Sequence, residues 1–394
     1  MSDFPIITLH KKKTQSVQRF HPWIFSGAIF RKPEDLKEGE IVEIQDHKQN
    51  TLAMGHYQIG SIAIRVFAFE KVDPSYDFFK EKLSDALELR KSAGLVRPDN
   101  NTYRLFFGEG DGLPGLVIDY YNGAAVIQCH NIGMWMMRHD LTKMLQDIYG
   151  DELHTVYDKS SETLPKKADI ESQNDWLFGD AESVVVLENG NKFKIDWVTG
   201  QKTGFFIDQR ENRSLLAQFS PGKKVLNTFC YSGGFSVYAL NAGAAQVDSI
   251  DISAKAIELT KQNIELNSPE NDNWQAIKAD TFDYLKETEG QYDVIILDPP
   301  AFAKHKDVRH RAVLGYKRLN EMAFRMIKKG GIIMTFSCTQ VVNKELFYNT
   351  IRAAAIEAGR KVRVLQTLSQ PADHPVNIYH PEGEYIKGQV LYVE

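Results

Sequence analysis

The 394-residue chain reads as an α/β protein. Its C-terminal half is a doubly wound sheet, preceded by a small β-barrel and a central α+β module. Three observations predict this. From about residue 192, strand and helix patterns alternate, which implies parallel crossovers. Residues 1–72 hold short runs of β-formers between turn residues, with almost no helix. Between these regions, two apolar runs flank Asn122-Gly123, a strong hairpin signal.

In the first segment, "EIVEIQD", "TLAMGHYQ" and "SIAIRVFAFE" are the strand candidates. Short strands at this spacing suggest a barrel. Pro74 marks the boundary with the central module, residues 73–190. There the apolar spacing of Phe79, Leu83 and Leu87, with a stop at Gly94, predicts a helix over 76–93. "GLVIDYY" and "AAVIQCH" form the hairpin. Met137, Leu141, Leu145 and Ile148 predict a helix over 132–149, and "HTVYDKS" and "SVVVLENG" read as further strands. The polar span "SSETLPKKADIESQND" reads as a loop. Residues 191–394 supply five strand candidates: "KVLNTF", "QVDSIDI", "NWQAIKAD", "YDVIILD" and "GIIMTFSC". A doubly wound sheet places its site at the C-terminal ends of its strands.

Composition narrows the function classes. No run of about eighteen apolar residues is present, so no membrane span is expected. Cys129, Cys230 and Cys338 lie far apart, with neither metal-ligand nor disulfide spacing. No metal is expected. The N-terminal "MSDFPIITLHKKK" lacks a secretory pattern, and a reducing cytoplasm is the expected compartment. A formal net charge of -5 argues against a generally basic nucleic-acid coat but allows local basic patches. The oligomeric state stays open, a homodimer among the options.

The stretch "VLNTFCYSGGFSVYALNAGAAQVDSIDIS" runs from strand through a glycine pair into a helix, then to a strand ending on Asp251. Glycine permits close backbone approach to a ligand. An acid at that strand end suits two ribose hydroxyls. The loop lacks the three-glycine spacing that a dinucleotide pyrophosphate requires. Asp280 ends the next strand, placed for an adenine amino group. Together these features suit S-adenosylmethionine better than a dinucleotide, although either aspartate alone reads equally well as a helix cap. In "ILDPPAFAKH", two prolines stiffen the turn after Asp298, which can present that carboxylate to a planar base. "GGIIMTFSCTQ" puts Cys338 at the same edge of the sheet. A buried cysteine is more often a small hydrophobe, but a thiolate here could attack a pyrimidine ring.

With these motifs in order, the whole chain resembles the three-domain family of S-adenosylmethionine-dependent 23S ribosomal RNA cytosine-5 methyltransferases. "HPWIFSGAI" resembles that family's N-terminal PUA domain, and "GEGDGLPGLVIDYY" its central module. "GQKTGFFIDQRENR", "LNTFCYSGGFSVYALNAGA", "LDPPAFAKH", "FSCTQ" and "HPEGEYIKG" are similar to the motifs of its Rossmann-like catalytic domain. The resemblance implies a cofactor site lined by Gln209, Phe229, Tyr231, Gly233, Asp251, Ile252, Asp280 and Asp298, with Cys338 as nucleophile; Asp298 is also a candidate to hold the base. Many other RNA cytosine-5 methyltransferases carry a second cysteine where this chain has Pro300; the family resembled here manages with one.

Carbon 5 of cytosine is a poor nucleophile. A thiolate adding at carbon 6 makes an enamine and raises its reactivity. Lys304, His305 and Lys306 are candidates to lower the thiol pKa. Residues 304–329 hold nine Lys or Arg against two acids. Lys304, Arg309, Arg311, Lys317 and Arg318 are therefore candidate RNA contacts, with His310 and Tyr316 placed to grip or stack. The N-terminal "HKKK", Arg19, His21 and Trp23 form a weaker patch, in which Trp23 reads equally well as core. Two other readings remain: methylation of an exocyclic base amine, with Cys338 inert, and a non-catalytic RNA-binding or ribosome-assembly protein.

Overall fold

Residues 40–70 form the three strands that their alternation predicts, and shorter strands before them complete one sheet. In the computed structural model, which describes residues 4–166, 170–287, 291–303 and 305–394, the strands are Ile6–Leu9 (β1), Trp23–Phe25 (β2), Ile29–Arg31 (β3), Ile41–Gln45 (β4), Thr51–Tyr57 (β5) and Ile62–Ala68 (β6). Their order is β2-β6-β5-β4-β1-β3. The β4–β5 turn is fixed locally: Asp46 Oδ1 accepts from the N–H groups of Lys48 (2.7 Å) and Asn50 (3.0 Å). Ile7, Leu9, Ile24, Val42, Ile44, Ala53 and Ile64 are buried on one face.

The helix Tyr76–Ser92 starts at the Ser75 cap and ends before Gly94, whose φ is +69°. The central sheet has Thr102–Phe107 (β7), Leu116–Tyr121 (β8), Ala124–Cys129 (β9), Thr155–Asp158 (β10) and Asp175–Phe178 (β11), in the order β11-β10-β9-β8-β7. Asn122 and Gly123 both have positive φ (+45° and +91°), the two-residue turn that matches strand twist. The single helix expected over 132–149 is two, Ile132–Met136 and Arg138–Tyr149, broken at Met137. "SVVVLENG" does not join the central sheet. Its strand, Ser183–Glu188 (β12), pairs with Asn191–Asp196 (β13) instead.

The chain divides into two compact units, each assembled from segments that are distant in sequence. The first contains Met1–Leu187, Ile195–Ile207 and Ala372–Gly383; the second contains Glu188–Lys194, Asp208–Pro371 and Glu384–Glu394. The N-terminal sheet and the central module share one core, because Met54 and Phe67 pack among Phe79, Leu83, Leu105 and Met134. Residues 372–383 are tied in by buried charge. Arg90, fully buried, bonds both carboxylate oxygens of Asp111 at 2.7 Å and the Asp373 carbonyl at 2.8 Å. Asp373 in turn accepts from the Arg104 N–H at 3.0 Å.

In the second unit the strands are Lys224–Thr228 (β14), Gln246–Asp251 (β15), Trp274–Lys278 (β16), Val294–Leu297 (β17), Gly331–Ser337 (β18), Val362–Leu368 (β19) and Lys387–Val393 (β20). The order is β16-β15-β14-β17-β18-β20-β19. The first five are parallel, and β20 runs antiparallel to both of its neighbours. β17 is buried at all four residues, as expected of a parallel strand covered on both faces. The order reverses between β14 and β17, and the crevice beyond their C-terminal ends is where such sheets bind ligands. No helix among the described residues is long and apolar enough to cross a membrane.

Candidate active site

The register of the second sheet brings the predicted residues to one rim. Thr228 pairs with both Ile250 and Leu297. The last turn of β15 at Asp251, the loop from Phe229 after β14, and Asp298 after β17 therefore leave the sheet side by side. Leu297 pairs with Thr335 on the next strand, so Cys338 emerges one strand over from Asp298.

The loop after β14 is held in an unusual conformation. Phe229 (φ +53°), Tyr231 (φ +48°) and Gly233 (φ +73°) are all left-handed, which costs a non-glycine residue on the order of 1–3 kcal/mol. Several bonds over-determine it. Cys230 N–H donates to the Ile250 carbonyl (3.0 Å). Thr260 Oγ1 donates to the Tyr231 carbonyl (3.0 Å), and Asn263 to that of Ser232 (2.8 Å). A Cβ on Gly233 would stand 2.8 Å from Thr260 Cγ2, so the helix Ala254–Asn267 packs too closely for a side chain there. Inside, Asn227 Nδ2 donates to Ser236 Oγ (2.8 Å), which meets Ser249 Oγ at 2.7 Å. This buried polar row fixes the helix Gly234–Asn241 to β14 and β15.

The three carboxylates differ. Asp251 Oδ2 accepts from Tyr231 N–H (3.1 Å) and Oδ1 from Ser253 N–H (2.9 Å). It therefore spans the glycine loop and the turn after β15. Beside it Ile252 is 68% exposed, an apolar surface on the open side. Asp280 is exposed, and its Oδ1 accepts from Phe282 N–H (2.9 Å) and Asp283 N–H (3.1 Å). It is a helix cap, as the simpler reading of that residue has it. Asp298 is half-buried and receives Gln209 Nε2 at 3.1 Å, while Gln209 Oε1 accepts from Asn212 at 2.6 Å. "FIDQREN" thus reaches the rim through a chain of amides. Asn212 is the member that the motif reading leaves out, and its i+3 spacing from Gln209 on one helical face was the available signal.

The three cysteines separate by environment. Cys129 is fully buried in the first unit, and burial raises its thiol pKa. Cys230 is 6% exposed, and burial pushes its thiol up to about 12. Cys338 is half-buried, between buried Ser337 and Thr339. Tyr316 OH meets Thr339 Oγ1 at 2.6 Å. This corrects the reading of Tyr316 as a base-stacking residue: it is fully buried, facing the sheet under the Cys338 turn.

The basic run also resolves into parts. The helix Arg309–Met326 buries Ala312, Tyr316, Leu319 and Ala323, so its cations fall on the other faces. Arg309 and Arg311 are exposed. Arg318 lies over the Phe282 ring at 5.3 Å. Lys317 pairs with Glu357, Arg325 with Glu321 and Lys328 with Asp293. Lys304 lies outside the described residues. In the first unit Lys11–Lys13 and Arg19 are exposed. Trp23, however, donates to Glu109 (2.7 Å) and packs edge-on against His380, which is the work of a packing residue.

Comparison with known proteins decides the family. Residues 103–376 match the model for an S-adenosylmethionine-dependent methyltransferase, and residues 7–69 the model for a PUA-like domain. The chain is 39% identical over 394 residues to "Ribosomal RNA large subunit methyltransferase I" of Aeromonas hydrophila, covering 98% of each. The Vibrio vulnificus protein of the same name is 38% identical, with 97% of this chain and 98% of that one covered. The chain belongs to the ribosomal RNA large subunit methyltransferase I family. It is an S-adenosylmethionine-dependent methyltransferase with an N-terminal PUA-like domain. The fold agrees. A Streptococcus mutans structure described as a candidate methyltransferase of this type superposes with a TM-score of 0.83 over 98% of this chain and 99% of that one, at 22% identity. SMU.776, solved as a complex with SAH, gives 0.82 at 23% identity, again over 98% and 99%. The expected doubly wound methyltransferase fold with a PUA-like N-terminal domain is therefore the observed one. The correction within it is the antiparallel β19–β20 pair, which completes the sheet beyond the five expected strands.

Proposed function

We propose that this protein methylates carbon 5 of a cytosine in ribosomal RNA of the large subunit, through a covalent adduct on Cys338. The names of the curated relatives support the substrate class. The observation that carries the chemistry is the contrast among the cysteines: only Cys338 stands half-open at the rim, one strand from Asp298, while the other two thiols are buried and held neutral. A ribosomal RNA substrate also fits the cytoplasm as the place of action.

The rim fits S-adenosylmethionine. Asp251 offers carboxylate oxygens for the ribose, exposed Ile252 an apolar surface for the adenine face, and the second oxygen of Asp280 an acceptor at the adenine edge. Phe229, Tyr231 and Gly233 supply the close backbone approach, and Gln209 bridges to Asp298. When bound, the cofactor supplies an electrophilic methyl group. Cys338, as thiolate, forms a bond to carbon 6, and the electron pair moves onto the ring so that carbon 5 becomes nucleophilic. Asp298, held by Gln209, orients the base by accepting from its amino group or a protonated ring nitrogen. After methylation, loss of the carbon 5 proton lets the carbon 6–sulfur bond break and restores the thiolate.

RNA bearing 5-fluorocytosine tests this, because carbon 5 then has no proton to lose. Incubation with S-adenosylmethionine is expected to leave a stable protein–RNA adduct at Cys338. Methylation of RNA without any adduct points instead to an exocyclic amine.

Two further outcomes are expected. Asp251→Ala removes a charged hydrogen-bond acceptor and the anchor of two loop N–H groups. S-adenosylmethionine affinity, read by calorimetry, falls by roughly ten- to a hundredfold, on the order of 1.5–3 kcal/mol. Unchanged affinity rules out the ribose role. Reversing Arg309 and Arg311 to Glu weakens RNA binding and flattens its salt dependence, since fewer counterions are released. Cofactor affinity is retained. Wild-type RNA affinity at every salt concentration marks these arginines as a solvated face.

A further inference from the structure

The strand β20 begins with a lysine in a largely apolar, buried setting. Lys387 opens β20 and is only 5% exposed. The run that it begins, "KGQVLYV", is buried at every position but one. Among the described residues no carboxylate lies within ion-pairing distance of its ammonium. A buried cation without a counter-ion is costly, so a lysine kept here calls for an anion close by.

The register shows which group is available. Lys387 pairs with Ser337 across the antiparallel ladder. Its side chain then runs past the end of β18, and Nζ donates to the Thr339 carbonyl at 2.9 Å. The lysine therefore brackets Cys338, its Cα level with the residue before and its ammonium bonded to the residue after. The turn that carries the cysteine is itself fixed. Thr339 N–H donates to Ser337 Oγ (3.3 Å), and Thr339 Oγ1 meets Tyr316 OH.

We propose that Lys387 is the positioning residue that supplies the positive charge holding the Cys338 sulfur as a thiolate. This rests on the covalent reading of Cys338 above. The step is a simple ionisation: the S–H proton leaves to water, the sulfur keeps the electron pair, and Lys387 remains an ammonium. Thiolate and ammonium then form a neutral pair, which relieves the cost of burying either one.

The surrounding groups are consistent with that assignment. Burial pulls the Lys387 pKa down, while negative charge on Cys338 and on Glu384 pulls it back up. Glu384 is shared with Lys344 at 3.4 Å. Tyr316, whose hydroxyl burial pushes up to about 12, stays neutral and acts as a hydrogen-bonding group. Burial, with Glu384, also raises Tyr348, whose hydroxyl donates to the Gly388 carbonyl at 3.4 Å. Among the described residues, Lys387 is thus the cation that these packed elements bring beside Cys338.

The test reads the sulfur, not turnover. The full-length protein is alkylated with iodoacetamide across a range of pH, and modification of Cys338 is followed by peptide mass spectrometry; buried Cys129 and Cys230 serve as internal controls. In the wild type the midpoint for Cys338 is expected below the ordinary thiol value of about 8.5. Lys387→Met, close in shape and neutral, raises the midpoint by about one unit or more, a roughly tenfold slower reaction near neutrality. Lys387→Arg restores most of the difference, and S-adenosylmethionine affinity is unchanged in both. An unchanged midpoint in Lys387→Met overturns the proposal. So does a wild-type midpoint at or above the ordinary value, which needs no variant to fold. The covalent reading fails separately: Cys338→Ser would then keep methyl transfer, whatever the alkylation profile shows.

Discussion

Replacing Cys338 with Ser is expected to stop methyl transfer while leaving the fold and S-adenosylmethionine affinity in place. Serine is nearly the same size, and at a half-open rim position it leaves neither a cavity nor an unpaired buried group. Its hydroxyl, however, is far less acidic and a much weaker nucleophile, so carbon 6 of the base is not attacked at a useful rate. Loss of a covalent nucleophile typically costs several orders of magnitude in kcat. Cys129→Ser and Cys230→Ser change packing at buried sites and are expected to retain turnover within about tenfold. Transfer of labelled methyl from S-adenosylmethionine to RNA separates the three variants. Substantial turnover by Cys338→Ser contradicts the covalent route and favours an exocyclic amine as acceptor.

The second large effect is on stability. Arg213, on the helix Arg210–Phe219, is 3% exposed. It bonds Glu188 through Nε (2.8 Å) and the terminal nitrogen (2.6 Å). Tyr238 OH adds a third bond to that carboxylate at 3.0 Å. Burial works against the arginine's charge, but the Glu188 carboxylate overcomes it and raises the pKa. A Cβ on Gly234 would meet Arg213 Cδ at 3.0 Å, so this pair lies directly under the helix that leaves the glycine loop after β14. Glu188→Ala strands a buried guanidinium and is expected to cost about 3–5 kcal/mol. Hydrogen exchange of amides in β14, β15 and the helix Gly234–Asn241 reads that loss within the second unit. Combining Glu188→Leu with Arg213→Met recovers most of it, because removing both charges removes the desolvation cost as well. A single-variant exchange profile like the wild type's would show that the pair contributes little.

Much of the catalytic half is legible in the sequence because its signals are local. β-Rich runs of four to seven residues end at Thr228, Asp251, Lys278, Leu297 and Ser337, each followed by a turn or cap. Parallel topology then places their C-terminal ends together without further information. The glycine loop after β14 is legible for the same reason, since its glycine pair and following acid lie close together in the chain. What escapes depends on long-range pairing. β19 and β20 carry strand-like residues, but nothing nearby in sequence says that β20 inserts antiparallel between β18 and β19 and so delivers Lys387 to Cys338. The path of residues 372–383 into the first unit is set by Arg90 and Arg104, nearly three hundred positions earlier. Charge counting along 304–329 overstates the free basic surface, because the acids that pair with Lys317 and Lys328 sit on other elements. Tyr316 looks like a surface aromatic among lysines and arginines. Its spacing from Ala312, Leu319 and Ala323 puts it on the buried face instead.

Nucleoside analysis of ribosomal RNA identifies the methylated atom. Large-subunit RNA from cells lacking this gene is digested and its methylated nucleosides are measured by mass spectrometry. The measurement is repeated with wild-type protein or Cys338→Ser restored. 5-Methylcytidine is expected to fall by about one residue per RNA molecule, to return with the wild type and not to return with Cys338→Ser. Unchanged 5-methylcytidine together with loss of a nucleoside methylated on an exocyclic amine would contradict methylation at carbon 5.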